Sequence, residues 1–377
     1  MPMIGRPLIG VYPTLAPSRV LSPGPGPTPF PFSDPRLRLT HLGRGAVWLA
    51  LRALGLGPGH RLAMPSFHCG AEVDAARLAG VEVVFYRVAP SLEVDEDDLA
   101  TVAAGADAVY LISHFGFPLP SRQPNVLVIE DVAHGLFSES ADGVPLGAGA
   151  DAAVFCPRKS LGVPDGGAIL LGEGAVEPSG RPPAKGVARS VASLLAGRAA
   201  LSRHRAIRQP AVASLAKVSR ADAAAAEGRL TEAVIGEWGM DVADMERAAS
   251  RPSRLTERIV AGVDGPGIRD RRRANYEVLA DALAPLCPER YRRLPPGVCP
   301  LYFPVRCTDR SVAIVELLRR GVRAIEIWPV AHPLLDEHRF AELAPLRREL
   351  LALPVHQDLE PWHVAMVGDA AREVLRP

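Results

Sequence analysis

Apolar positions in this chain follow two spacings that alternate. Nearly continuous apolar runs at residues 61–64, 81–86, 108–112, 126–129, 152–155 and 168–171 predict short strands. Between them, apolar residues recur every three or four positions. Ala46, Val47, Leu49, Ala50, Ala53 and Leu54 form such a stripe, and Gly55-Leu56-Gly57-Pro58-Gly59 closes it. Two more helices are predicted, over residues 71–78 and 95–104. Strands without internal alternation are buried on both faces, so this order predicts an α/β fold with a mostly parallel central sheet covered by helices. In such sheets ligands bind beyond the carboxyl ends of the strands, where Ser113-His114, Asp131 and Lys159 fall.

Outside this region the pattern changes. Residues 1–39 hold Pro13, Pro17, Pro23, Pro25, Pro27, Pro29 and Pro31, and are expected to form an extended arm without a core of its own, lying across a neighbouring subunit. Residues 175–250 are rich in Ala and Arg and predict helices and loops, a candidate lid. From residue 254 a helix (272–284), a strand (300–305), a helix (311–320) and a closing helix (362–375) predict a smaller α+β lobe. The expected division is an arm at 1–39, a large domain at 40–253 and a small C-terminal domain at 254–377.

Composition narrows the class. With 377 residues and 48% apolar content the chain can bury a substantial core. Its 43 basic and 42 acidic residues leave a net charge of +1, so the totals carry no nucleic-acid footprint. Arg271-Arg272-Arg273 and Arg347-Arg348 read as solvated helix faces. The five cysteines are irregularly spaced and contain no CxxC pair, which argues against a disulfide framework or a zinc site. No basic segment followed by an apolar stretch opens the chain, and prolines interrupt the later apolar runs. The expectation is a soluble cytoplasmic protein that binds neither membrane nor nucleic acid nor metal.

The chemistry is concentrated in a few residues. Lys159 lies in the run Phe155-Cys156-Pro157-Arg158-Lys159-Ser160-Leu161-Gly162-Val163-Pro164-Asp165-Gly166-Gly167, after a strand and before a glycine pair. A lysine there can be a Schiff-base nucleophile, although most lysines are solubilising. Ile129-Glu130-Asp131-Val132-Ala133-His134 ends a second apolar run with a carboxylate and an imidazole. Taken alone, Asp131 reads as an N-cap and His134 as an ordinary polar contact. Gly43-Arg44-Gly45-Ala46 opens a helix with small residues, which suits an anion at the helix end or a plain turn. Together they supply what pyridoxal phosphate requires: a lysine for the aldehyde, an anion for the ring nitrogen, a neighbour for the phenolic oxygen and donors for the phosphate.

These segments resemble the DegT/StrS sugar aminotransferases, pyridoxal-phosphate-dependent transferases of fold type I. The likeness rests on Gly43-Arg44-Gly45-Ala46, Gly57 to Phe67, Ala79 to Phe85, Ile112-Ser113-His114-Phe115-Gly116, Glu130 to His134, the Lys159 run, Arg272-Arg273-Ala274-Asn275-Tyr276 and Leu353-Pro354-Val355-His356. It implies that Lys159 is the Schiff-base lysine, Asp131 the partner of the ring nitrogen and His134 the neighbour of the phenolic oxygen. Arg44 and Gly45 would bind the phosphate. Cys156 stands nearest the serine that relatives place before the lysine, in a loop two residues shorter. The residue covering the cofactor ring falls in Phe67-His68-Cys69, with Cys69 the strict match and His68 or Phe67 expected to stack. An Asn-Tyr-Arg type segment that relatives carry after the glycine pair is absent between Gly167 and Arg254. The implied activity is transfer of an amino group from an amino-acid donor, glutamate, to a keto group on a sugar nucleotide or natural-product intermediate, by a homodimer. A lyase or decarboxylase on the same scaffold and a non-catalytic cofactor-binding regulator remain as alternatives.

Overall fold

The computed structural model describes residues 6–21, 28–119, 126–174, 176–215 and 240–375. Seven strands form the main sheet: β1 (Arg38–Thr40), β2 (Arg61–Pro65), β3 (Glu82–Tyr86), β4 (Ala108–Ile112), β5 (Leu127–Asp131), β6 (Ala152–Phe155) and β7 (Gly167–Leu171). Their order is β1-β7-β6-β5-β4-β2-β3. Strands β6, β5, β4, β2 and β3 run parallel, whereas β7 and β1 close one edge antiparallel. The chain moves outward from β2 to β3 and then back to β4, so the strand order reverses between β2 and β4. Crevices of this kind lie outside the carboxyl ends of the strands.

The predicted strands occur within a residue or two of their expected limits, because β4, β6 and β7 are buried along their whole length. β5 runs further than expected and takes in Asp131 as its last residue. Helices Gly43–Ala53, Ala71–Leu78 and Glu96–Ala103 connect the strands. Asp95 caps the third, its side chain accepting from the Asp98 N–H at 3.0 Å.

A second, antiparallel sheet of β8 (Tyr302–Arg306), β9 (Ile325–Glu326) and β10 (Leu350–Pro354) has the order β8-β10-β9. Helix Gly265–Leu283 packs along the closing helix Pro361–Val374. It starts seven residues before the expected position, for a local reason: Asp264 accepts from the Gly267 N–H at 2.9 Å, and Pro266 lies in the first turn. One apolar cluster joins both sheets, running from Leu62, Val109 and Ile129 to Phe303, Leu351 and Val367.

The N-terminal arm differs from its expectation. Leu8, Ile9, Val11 and Leu15 are buried in the chain's own fold, Ile9 forms a bridge to Val322, and β1 completes the edge of the main sheet. In residues 175–250, helices Ala184–Ala200 and Val242–Ala249 and helical residues 205–215 agree with the reading of that segment. The part of the candidate lid at 216–239 lies outside the described residues. Among the described residues no helix is long and apolar enough to cross a membrane.

Candidate active site

Strands β4, β5 and β6, with the segment that follows β2, border a cavity of about 580 Å3. Asp131, His134, Cys156, Lys159 and Arg44 all line it, so five of the seven residues singled out in the sequence meet at one place.

Asp131 ends β5 by a local interaction. Its Oδ1 accepts from the Ala133 N–H two residues on, at 2.8 Å, which turns the chain out of the sheet. The Tyr110 hydroxyl, from neighbouring β4, donates to Oδ2 at 2.8 Å. Burial lifts the Asp131 pKa above the ordinary carboxylate value, although Lys159 and these two hydrogen bonds work against the rise. No ion pair neutralises Asp131 among the described residues. A protonated ring nitrogen placed here would supply the missing positive charge, so the site suits pyridoxal phosphate.

Lys159 stands on the one-turn helix Pro157–Ser160, which follows β6 directly. Its N–H donates to Cys156 O at 2.9 Å, and Pro157 occupies the first turn, where no backbone N–H is needed. The turn is clamped from the second sheet's side of the molecule. Buried Arg272 donates through Nη2 to Ser160 O at 2.9 Å, and Gln357 Nε2 donates to the same oxygen at 3.1 Å. Below the turn, Gly162 lets the arm approach so closely that a Cβ would lie 1.8 Å from Thr14 O. Burial would lower the Lys159 pKa, but Cys156, Cys69, Tyr12 and Asp131 outweigh it and hold the ammonium above its usual value. Among the described residues its amine has no hydrogen-bond partner, so it is held in place yet open to the cavity.

His134 is buried in an aromatic stack with Trp328 at 5.6 Å and Phe115 at 6.0 Å, and Tyr302 stands edge-on at 5.6 Å. Burial, followed by the charges of Lys159 and His114, pushes its pKa well down, so the ring is neutral. The Phe115 N–H donates to Nδ1 at 3.5 Å, which leaves Nε2 as the protonated nitrogen.

At the opposite wall, helix Gly43–Ala53 begins without a side-chain cap, and its first residues Gly43 and Arg44 border the cavity. Arg44 reaches Met240, Nη1 to Sδ at 2.8 Å. Gly45 does not line the cavity. Its N–H is spent on Leu42 O at 3.1 Å, and its α-carbon faces the Ala248 backbone, where a Cβ would come within 2.2 Å. The anion-facing part of the turn is therefore Gly43 and Arg44, and Gly45 serves the packing. Cys156 closes the floor, its Sγ 3.5 Å from the position a Cβ on Gly43 would take.

His68 also lies off the cavity. It is fully enclosed behind β2, stacked on Phe85 at 5.3 Å, and Phe67 is buried against Trp328 at 5.0 Å. The side chain that faces the cavity from this segment is Cys69, whose thiol donates to Glu72 Oε2 at 2.8 Å. Burial raises the Glu72 pKa. Sequence reasoning missed Trp328, Glu72, Tyr110 and Tyr12, which complete the walls. Trp328 has φ +45°, a strained conformation for a bulky residue, and its carbonyl accepts from Arg347 Nη1 at 3.0 Å. No local motif marks it. Tyr110 could have been found, since a Tyr in a wholly apolar strand needs a partner for its hydroxyl.

Comparison with known proteins agrees with this geometry. Residues 40–179, which carry β2 to β7 and Lys159, match the sequence model of the DegT/DnrJ/EryC1/StrS aminotransferase family. The match spans 140 of the chain's 377 residues. A UDP-N-acetyl-3-dehydro-alpha-D-glucosamine 3-aminotransferase of Acidithiobacillus ferrooxidans is 29% identical over 153 residues, which span 36% of this chain and 40% of that protein. A likeness in fold extends over nearly the whole chain. The aminotransferase TlmJ of Streptoalloteichus hindustanus superposes with a TM-score of 0.62 at 20% identity, covering 97% of this chain and 98% of that one. The putative sugar aminotransferase Spr1654 of Streptococcus pneumoniae in its PMP form gives 0.62 at 16% identity, covering 97% and 100%. The mostly parallel sheet with its smaller second sheet is thus the fold type I architecture that these aminotransferases share.

Proposed function

We propose that the protein is a pyridoxal-phosphate-dependent aminotransferase that moves an amino group from an amino-acid donor, glutamate, to a keto group on a sugar nucleotide or related biosynthetic intermediate. One observation carries the proposal. A half-buried carboxylate without an ion-pair partner among the described residues, oriented by Tyr110 and Ala133, shares one cavity with a clamped lysine whose amine is open. The PLP and PMP forms described for Spr1654 and the amino transfer to a keto sugar named for the Acidithiobacillus relative support the same reading.

When bound, pyridoxal phosphate supplies an aldehyde carbon for amines and a ring that accepts an electron pair. The chain's residues do the rest. Lys159 would hold the aldehyde carbon through its amine and, when that amine is free, would move a proton at the reacting carbon of the substrate. Asp131 keeps the ring nitrogen protonated. His134 presents Nε2–H to the phenolic oxygen, and Trp328 fixes the plane of the imidazole. Arg44 with the Gly43 turn takes the phosphate, with Cys156 beneath it. The reading includes a cytoplasmic homodimer; exposed Leu195 and Ile207 on the helical stretch after β7 support a covered face there.

The test is covalent capture. Borohydride treatment of wild-type protein mixed with pyridoxal phosphate should add one cofactor mass, and the peptide bearing it should contain Lys159. Lys159→Ala protein should lack both the adduct and the visible band of the bound cofactor. Capture at another lysine, or an unchanged spectrum in Lys159→Ala, would sink the proposal.

A further inference from the structure

The last turn of helix Leu343–Glu349 carries Arg347 and Arg348, and only Arg348 is exposed as the sequence suggests. Arg347 is 4% exposed. Burial lowers its pKa to about 10, so the guanidinium keeps its charge at neutral pH. A buried cation is costly unless hydrogen bonds satisfy it, and here backbone carbonyls do so. Nη1 donates to Trp328 O at 3.0 Å and Val330 O at 3.5 Å, and Nη2 donates to Ser66 O at 2.8 Å. The same group lies over the Phe67 ring, 5.1 Å from its centroid. One side chain thus joins the segment after β2 to the segment after β9.

What this junction places is the ring of Trp328. A bulky residue keeps a φ of +45° only where its surroundings enforce it, and Arg347 holds the carbonyl of that residue. The indole packs on Phe67 at 5.0 Å, on His114 at 5.3 Å and on His134 at 5.6 Å, with the His134 ring inclined by 26°. His134 also meets Tyr302 edge-on. Burial and the charges of Lys159 and His114 lower its pKa, and Arg347 is not among the groups that act on it. An effect of Arg347 on this imidazole is therefore one of packing and not of its field.

We infer that Arg347 is a positioning residue of the active site, which holds Trp328 against His134 by drawing the carbonyls of Trp328 and Ser66 onto one guanidinium. A planar fork with fixed donor directions suits two carbonyls from separate segments, where an ammonium on a flexible stem is less selective. That His134 in turn meets the phenolic oxygen rests on the proposed aminotransferase activity; the hold on the imidazole does not.

Histidine NMR on unloaded protein tests the hold, with the His134 signal assigned through His134→Gln. In wild type this signal should not titrate between about pH 8 and about pH 5, because the ring stays neutral. In Arg347→Ala the indole loses its anchor and water reaches the imidazole, so a titration should appear in that window, toward the ordinary value of about 6.5. Arg347→Lys should shift it less. Trp328→Ala should produce the same change, and adding Arg347→Ala to it should change nothing further. His356, buried and neutral elsewhere in the chain, should remain as in wild type throughout. In loaded protein, Arg347→Ala should bind pyridoxal phosphate about 10-fold more weakly, the worth of one hydrogen bond. The inference is overturned if His134 behaves alike in Arg347→Ala and wild type, if His356 shifts with it, or if the shift adds to that of Trp328→Ala. A shifted His134 beside an unchanged cofactor affinity also overturns it, since Arg347 then serves the ring but not the site. Should Arg347→Ala not fold, Arg347→Lys is held to the same criteria. Wild-type protein that takes up no cofactor counts against the aminotransferase proposal instead, and the titrations of unloaded protein then decide the hold.

Discussion

Asp131 divides its two oxygens between folding and chemistry. One closes the turn to Ala133, and the other meets Tyr110 at the cavity wall. Both contacts are N–H or O–H donors, which an amide oxygen can accept at one position only. Asp131→Asn should therefore fold and retain some bound cofactor, yet lose turnover by at least about 100-fold, because a neutral partner no longer holds a proton on the ring nitrogen. Steady-state kinetics beside a cofactor titration checks this; a variant with near wild-type turnover would show that the carboxylate charge is dispensable. Tyr110 and the Ala133 N–H keep the carboxylate aimed before any ligand arrives. Trp328 acts similarly on His134, from the other sheet's side of the cavity.

The elements around the site are fastened by close backbone approach on one side and by side-chain donors to a backbone carbonyl on the other. Helix Gly43–Ala53 crosses Val242–Ala249 so closely at Gly45 that no side chain fits there. Two effects compete in Gly45→Ala. Helix propensity favours the change by about 1 kcal/mol, whereas a Cβ within 2.2 Å of the Ala248 backbone must move a helix. The clash should win, and the variant should be destabilised toward the upper end of the ~1–3 kcal/mol usual for overpacking. Urea unfolding measures this, and a stabilised variant would contradict the packing described. Because the same helix carries Arg44, its displacement should also weaken cofactor binding. On the facing side, Arg272 and Gln357 tie the lysine turn to the second sheet, so the position of Lys159 depends on residues remote from it in sequence.

For the whole molecule, buried neutral histidines set the acid limit. Burial first of all lowers the pKa of His114 to about 3 and of His356 to about 4. His356 faces Asp358, Arg272 and His363, and Asp358 opposes the shift. In the unfolded chain these imidazoles take up protons below about pH 6.5. Between that value and about 4 the unfolded state binds more protons, so stability is full above about pH 6.5 and falls as the pH drops through this window. Each imidazole contributes on the order of a few kcal/mol. Urea midpoints should fall between about pH 7.5 and about pH 5, and His356→Gln should flatten part of that fall. Equal midpoints at the two pH values would show that these rings are not buried as neutral groups.

The alternation of apolar runs with helical stripes determined the layered α/β fold, because strands buried on both faces leave a signature that does not depend on distant partners. It also placed Asp131, His134 and Lys159 at strand ends, where the cavity forms, and Arg44 at a helix start. Their likeness to a known family then joined them into one cofactor site. Two members did not follow: the sequence pattern cannot tell that Gly45 faces Ala248 or that His68 turns behind β2 onto Phe85, since each outcome depends on an element packed from elsewhere in the chain. Only the tertiary structure decided the remaining walls. Tyr12, Trp328 and Arg272 come from the arm and from beyond residue 254, and no local spacing relates them to Lys159. The arm reads as coreless because prolines interrupt it throughout, yet Ile9 is buried and bridges to Val322. Short-range sequence carries the chemistry of each segment. Long-range packing selects which of those groups share a cavity.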